Sequence, residues 1–157
     1  MNPTITREDD APGADVRAVA EALDRFNQSH TRHRLTPVRL FVRDGDGAIV
    51  GGLLADVCMG WMFVRILWLD ERLRGRGIGA GLMRRAEAEA RELGCTGVWL
   101  DTFTFQAPDF YRKLGFEEFG RIDDYPLPFA RHFFRKRLVQ DRSDSVDWNP
   151  LDPNQPI

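Results

Sequence analysis

Three arginines and three glycines crowd into residues 72–79, "RLRGRGIG", and an alanine-rich helical pattern follows at once. A helix start presents backbone N–H groups without intrahelical partners, and a partial positive charge. Glycine lets that backbone curl close to a ligand with no side chain in the way. Together these features make a cradle for a pyrophosphate. Arg72, Arg74 and Arg76 add charge for phosphates that reach past the turn. The plainer reading, a tight strand-to-helix loop with solvated arginines, uses the same residues.

Spacing narrows the phosphate chemistry. A loop of the form G-x-x-x-x-G-K-[ST] needs a Lys-Ser/Thr pair, and none follows these glycines. A dinucleotide fingerprint is nearer: Gly75-x-Gly77-x-x-Ala80 fits G-x-G-x-x-A, and Asp101 stands at the end of the next strand. Against it, Asp70–Arg74 separates the preceding strand from the first glycine, and several strands come before a unit that usually opens such a fold.

The elements that position this turn read as a mixture of helices and strands. "PTIT" suits a short first strand. Val16, Val19, Ala20, Leu23 and Phe26 recur at helical spacing across Asp15 to Gln28. "PVRLFVRDGDGAIVGGLLADV" reads strand, turn, strand, with "DGDG" as the hairpin signal. "GWMFVRILWL" is apolar on both faces, as a central strand is. The helix after the turn runs from Ile78 to Leu93 with Ile78, Leu82, Ala86, Ala90 and Leu93 aligned, and Gly94 ends it. "GVWLDTFTF" is a strand, "QAPDFYRKLG" a short helix, and "FEEFGRIDDYP" and "RHFFRKRL" two closing strands. "RHFFRKRL" alternates like a strand with one solvated face. The proline- and aspartate-rich end, residues 140–157, reads as a flexible tail after a domain of residues 1–139, with Trp148 able to dock on the body.

Composition bounds the class. The chain has 157 residues, enough for one domain with a real core. A net charge of −2 gives no global pull toward nucleic acid or anionic membrane, so any anion site is local. Cys58 and Cys95 are too few for a disulfide framework and suit buried, reduced thiols in the cytoplasm. No apolar run approaches the ~20 residues of a membrane span, and "MNPTITREDD" has no signal-peptide core. His30, His33 and His132 lack metal-ligand spacing, so no metal is expected.

One family fits the turn better than either nucleotide loop. Arg74-x-x-Gly77-x-Gly79 resembles motif A, [Q/R]-x-x-G-x-[G/A], of the GNAT acetyltransferase superfamily. Downstream, "FYRKLGF" (Phe110–Phe116) resembles that family's aromatic-Tyr-x-x-x-Gly-Phe signature. The resemblance covers roughly Thr4 to Leu138, the N-terminal third in element order only. It departs at Gln106, where many members carry Asn before the alanine. It implies an α+β fold: a twisted, mostly antiparallel sheet of about six to seven strands with a splayed parallel pair, flanked by helices. It also implies acetyl-CoA as co-substrate. Leu67, Trp68 and Leu69 would hold the pantetheine by main chain in the splay. The amides of Arg74, Gly75, Arg76, Gly77, Ile78, Gly79 and Ala80 would hold the pyrophosphate, and Gln106 would add a side-chain contact.

The implied activity is transfer of an acetyl group to a primary amine of a small molecule or protein, by direct attack in a ternary complex. Tyr111 would be the proton donor to the departing thiolate. Its helical spacing with Ala107 and Leu114 suits simple packing equally well. The base is open: "WMFVRILWL" has no carboxylate, and Asp101, Glu71 and the Asp123-Asp124 pair each also read as solvated surface groups. The acceptor pocket would draw on Phe26–Thr36, Trp61 or Trp68, and "DDYPLPF", whose acids would favour a cationic amine. The missing strand carboxylate leaves room for a non-catalytic CoA-binding sensor. A homodimer is possible; nucleic-acid and membrane partners are not expected.

Overall fold

Asp44-Gly45-Asp46-Gly47 turns the chain between β1 (Thr36–Arg43) and β2 (Ile49–Cys58). The Asp44 carboxylate accepts the amides of Asp46 and Ala48 at 3.0 and 2.9 Å, and Gly47 takes φ +84° to close the loop. This hairpin begins a six-stranded sheet in a computed structural model that describes residues 3–31 and 34–138. These fall into two units, 3–31 and 34–138. The first holds α1 (Gly13–Gln28), which buries none of its residues; its last turn is closed by Ser29 Oγ donating to the Phe26 carbonyl at 2.6 Å. "PTIT" forms no strand: a four-residue segment gains nothing from extension without a ladder partner. The tail and Trp148 lie outside the described residues.

The sheet of the second unit runs in the order β1-β2-β3-β4-β6-β5, with β3 (Trp61–Leu69), β4 (Gly97–Phe103), β5 (Glu117–Ile122) and β6 (Arg131–Arg137). Only β3 and β4 are parallel. A parallel neighbour needs a crossover, and α2 (Ile78–Glu92) supplies it. Leu82, Met83, Ala86 and Ala90 of α2 pack on Leu53, Ala55, Met62, Val64, Val98 and Leu100. Each large apolar side chain so buried contributes about 1.5–3 kcal/mol. Leu93, aligned with this stripe by period, instead stands 43% exposed, because the helix has ended at Glu92 and Gly94 turns the chain at φ +71°.

One charged residue sits inside this apolar stripe. Glu87 is buried, and both its oxygens accept from Lys136 Nζ, at 2.8 and 2.9 Å. Lys136 also donates to the Leu114 carbonyl at 2.9 Å, so one ammonium ties α2, β6 and the end of α3 (Pro108–Lys113). Lys136→Met removes that cation and leaves the Glu87 carboxylate poorly compensated. The expected cost is about 2–3 kcal/mol, below the usual range for a buried pair because Arg91 lies 3.6 Å from the same carboxylate. Denaturant unfolding measures it.

The opposite sheet face is aromatic and cationic. Phe63 on β3 stacks on Trp99 of β4 with ring centroids 4.0 Å apart. The arginines of β6 do not simply face water, as alternation alone suggested. Arg135 lies over Phe119, Arg137 over Trp61, and Arg131 over Phe103, Tyr125 and Phe133 at 5.1–5.6 Å. Register puts rings within their reach, and cation–π contact with a buried stem outweighs full hydration.

Candidate functional site

β3 ends at Leu69, and the chain reaches α2 through a short capped turn. The Asp70 carboxylate accepts the Arg72 amide at 3.0 Å and the Arg72 guanidinium at 2.9 Å, closing a single 3-10 turn over Glu71–Leu73. These hydrogen bonds from Arg72 hold the Asp70 carboxyl down at about 2. A depressed carboxylate pKa stabilises the fold fully above the ordinary value and loses that contribution only as pH falls toward 2, so the cap is intact at every physiological pH. Gly75 and Gly77 then adopt φ +72° and +79°, where a Cβ is strained although nothing lies within 4 Å of it. The first α2 bond runs from the Gly81 amide to the Gly77 carbonyl at 2.9 Å, and Gly77 supplies no side-chain cap. The amides of Ile78, Gly79 and Ala80 therefore precede the helical ladder. At Gly79 a Cβ would stand 3.4 Å from both Leu69 and Phe110, so the helix start, the end of β3 and α3 meet there.

Arg72 is committed to Asp70. Arg74 donates from Nε to the Leu69 carbonyl at 3.3 Å, while Arg76 has no side-chain bond or ion pair among the described residues. Arg43, Arg72 and Arg76 line a groove of about 370 Å³ between the β1–β2 hairpin and the turn.

Beside this turn the parallel pair comes apart. Ladder pairing of β3 with β4 runs from Trp61↔Gly97 to Val64↔Leu100 and stops, although both strands continue. The cause is visible on β2: Leu54 pairs with Ile66 and Ala55 with Val64, so Arg65 is an extra, bulged residue. A bulge bends its strand and sharpens its twist, and this one falls where β3 leaves β4.

Register also fixes which main-chain groups the gap receives. The Asp70 amide donates to the Val50 carbonyl at 2.9 Å. Bonded pairs recur every second residue in an antiparallel ladder. Ile66 and Trp68 thus turn their main-chain groups to β2, and Leu67 and Leu69 turn theirs to the gap. Trp68 differs here from its neighbours. It offers the gap no main-chain group, only a half-exposed indole on the face away from α2. On β4 the Thr104 amide donates to the Ala130 carbonyl at 2.9 Å, so by the same count Asp101 and Phe103 face the gap. Gln106 closes the Phe103 position: its Oε1 accepts the Phe103 amide at 3.0 Å and the Thr102 hydroxyl at 3.1 Å. That leaves Gln106 its NH₂ group for any ligand.

Tyr111 enters from α3 on the α2 side. It is 7% exposed and packs edge-on against Phe110 and Phe116, ring centroids 5.0 and 6.1 Å away. Burial, with the Asp101 charge second, pushes its phenol up to about 12. On the other sheet face Asp101 is not solvated, as a surface carboxylate would be. Its side chain is 14% exposed, and Oδ1 accepts both Nε and a terminal nitrogen of Arg131 at 2.7 Å. No local signal links residues 101 and 131; only the β4–β6 pairing joins them. Glu71 and Asp123 lie exposed beside Arg74 and Arg121. His132 is buried between Glu118 and Thr104 at 3.0 and 3.1 Å, bracing the ends of β4, β5 and β6. His33 lies outside the described residues. No group of three metal-ligating side chains stands together among the described residues.

Comparison with known proteins agrees with this geometry. The model of the acetyltransferase (GNAT) family matches residues 6–116. A blasticidin-S acetyltransferase of Streptomyces morookaense is 43% identical over 93 residues, 59% of this chain and 68% of that protein. An IAA acetyltransferase of Azospirillum brasilense is 32% identical over 145 residues, 82% of this chain and 94% of that one. The crystal structure of an acetyltransferase from Bacillus cereus superposes with a TM-score of 0.78 at 31% identity, covering 85% of this chain and 98% of its own.

Proposed function

Because this chain belongs to the acetyltransferase (GNAT) family, we propose that it transfers an acetyl group from acetyl-CoA to a primary amine within a ternary complex. The observation that carries the reading is the gap beyond Val64↔Leu100, which opens beside the start of α2. The residues there fit the donor. Amides from Gly75 to Ala80, with the Arg76 side chain uncommitted, suit a pyrophosphate, whereas the Arg74 amide is already given to the Glu71 carbonyl at 3.1 Å. The edge of Leu67 and Leu69 can pair with the pantetheine amides as an added strand would. Gln106 has an NH₂ to offer at the far side of the gap.

The chemistry follows from position. Holding amine and thioester together contributes several kcal/mol by proximity. The Leu69 amide, turned to the gap, stabilises negative charge developing on the thioester oxygen. Tyr111 is protonated throughout the neutral range and donates to the departing sulfur. A phenol raised to about 12 is a weaker acid than a free one; it keeps its proton until the sulfur departs and, once deprotonated, takes a proton back readily. The relatives named for blasticidin S and IAA support a small-molecule acceptor. Asp123 and Asp124 would attract a cationic one, weakly, since Arg121 pairs with Asp123 at 2.7 Å.

A melting comparison tests the donor. Acetyl-CoA at ~100 times its Kd stabilises by about 2.7 kcal/mol, and NAD leaves the melting temperature unchanged. Stabilisation by NAD and none by acetyl-CoA would discard the reading.

A further inference from the structure

We propose that Asp101 is the proton acceptor for the attacking amine and that Arg131 is its positioning residue, an inference that rests on the acetyl-transfer reading above. Asp101 is the first β4 residue past the last ladder pair with β3. Leu100 points into the core, so Asp101 projects from the opposite sheet face at the mouth of the gap. A donor whose phosphates lie at the start of α2 and whose chain threads the gap delivers its acyl end to that face. Tyr111 stands on the α2 side, so acid and base would lie on opposite sides of β4. The Asp101 charge contributes to the raised phenol pKa, which places the two groups within electrostatic reach.

The carboxylate is held for this use. Both bonds from Arg131 go to Oδ1, and Oδ2 has no partner among the described residues. Arg131 is itself fixed over Phe103, Tyr125 and Phe133, with the Tyr125 hydroxyl 3.5 Å from its terminal nitrogen. The other carboxylates near the turn are unsuited: Asp70 is spent on Arg72, and Glu71 is 86% exposed beside Arg74.

The step balances. An ammonium first loses one proton to solvent. The neutral amine attacks the thioester carbon, the C–N bond forms, and Oδ2 takes the second nitrogen proton. The C–S bond breaks, the sulfur takes the Tyr111 proton, and the proton gathered by Asp101 returns through water to Tyr111. On its own sheet face Asp101 meets Arg131 of β6, which in turn reaches the Tyr125 hydroxyl in the loop after β5, and from the other face Tyr111 of α3 feels its charge across β4. Arg65, the one charged residue of β3, is turned to Asp56 of β2.

The test uses whichever of tryptamine, spermidine and blasticidin S turns over fastest. Asp101→Asn should lower kcat about 100-fold while acetyl-CoA still raises the melting temperature as in wild type. Asp101→Glu should recover at least about a tenth of the activity by restoring a carboxylate. Between pH 7 and 9 the wild-type kcat should follow the fraction of neutral amine, and that of Asp101→Asn should climb more steeply as hydroxide also takes over the second proton. Arg131→Lys keeps the charge, loses the fork, and should cost kcat several-fold with the melting shift intact. Wild-type kcat in Asp101→Asn overturns the proposal. So does loss of the acetyl-CoA shift in that variant without rescue by Glu, which would make the ion pair a strand brace. A wild-type protein inactive on every amine and not stabilised by acetyl-CoA overturns the acetyl-transfer reading and takes this inference with it.

Discussion

Tyr111→Phe lowers kcat about 100-fold and leaves acetyl-CoA binding and the fold nearly unchanged. The ring is what the core uses: it packs on Phe110, Phe116 and Phe134, and phenylalanine keeps all three contacts. In the proposed reaction the hydroxyl is the proton donor, since no other donor on α3 is buried beside the gap. Steady-state kinetics and a thermal melt with acetyl-CoA separate the two roles. An unchanged kcat, with chemistry limiting turnover, would leave Tyr111 as a packing residue. A pH signature accompanies it. A phenol raised from 10.0 to about 12 keeps its full contribution to stability below pH 10 and loses it as pH rises toward 12. The loss is on the order of 2 kcal/mol and is absent from the phenylalanine variant.

Gly77→Asp weakens acetyl-CoA binding about 10²- to 10³-fold and costs about 1 kcal/mol of stability, the strain of a side chain at a left-handed φ. Aspartate tolerates the left-handed φ of +79°, nothing within 4 Å obstructs its Cβ, and a carboxylate suits a helix start. In the proposed complex the same carboxylate would face the pyrophosphate. Two like charges ~4 Å apart at an effective dielectric constant of ~20 repel by about 4 kcal/mol, which is nearly three decades of affinity. Gly77→Asn has the same shape without the charge and keeps affinity within about tenfold. Calorimetric titration of both variants decides the matter. Equal binding by Asp and Asn would place the phosphates elsewhere.

The parts of the fold written in local sequence were legible. "DGDG" with alternating apolar flanks specifies the hairpin, Gly94 and Gly115 end their helices, and the glycine-arginine turn joins a strand to a helix. Each depends on residues a few positions apart. What was hidden depends on register. The bulge at Arg65 that opens the gap has no residue signature, since it follows from how Gly51–Cys58 of β2 align with the longer Trp61–Leu69 of β3. Trp68 and Leu69 look equivalent in "RILWL", but alternate bonding sends only Leu69 to the gap. Asp101 reads as a surface acid until β6 brings Arg131 to it across thirty residues. The arginines of "RHFFRKRL" read as solvated until the neighbouring rings are known. "PTIT" has the residues of a strand, and among the described residues it has no ladder to join.

Thiol release from acetyl-CoA in the presence of an amine panel, with the mass of each amine followed in parallel, tests acetyl transfer most directly. The account predicts that at least one primary amine gains a single acetyl group for each CoA thiol released. Stabilisation by acetyl-CoA without thiol release or amine acetylation would contradict it and identify a protein that holds the thioester without using it.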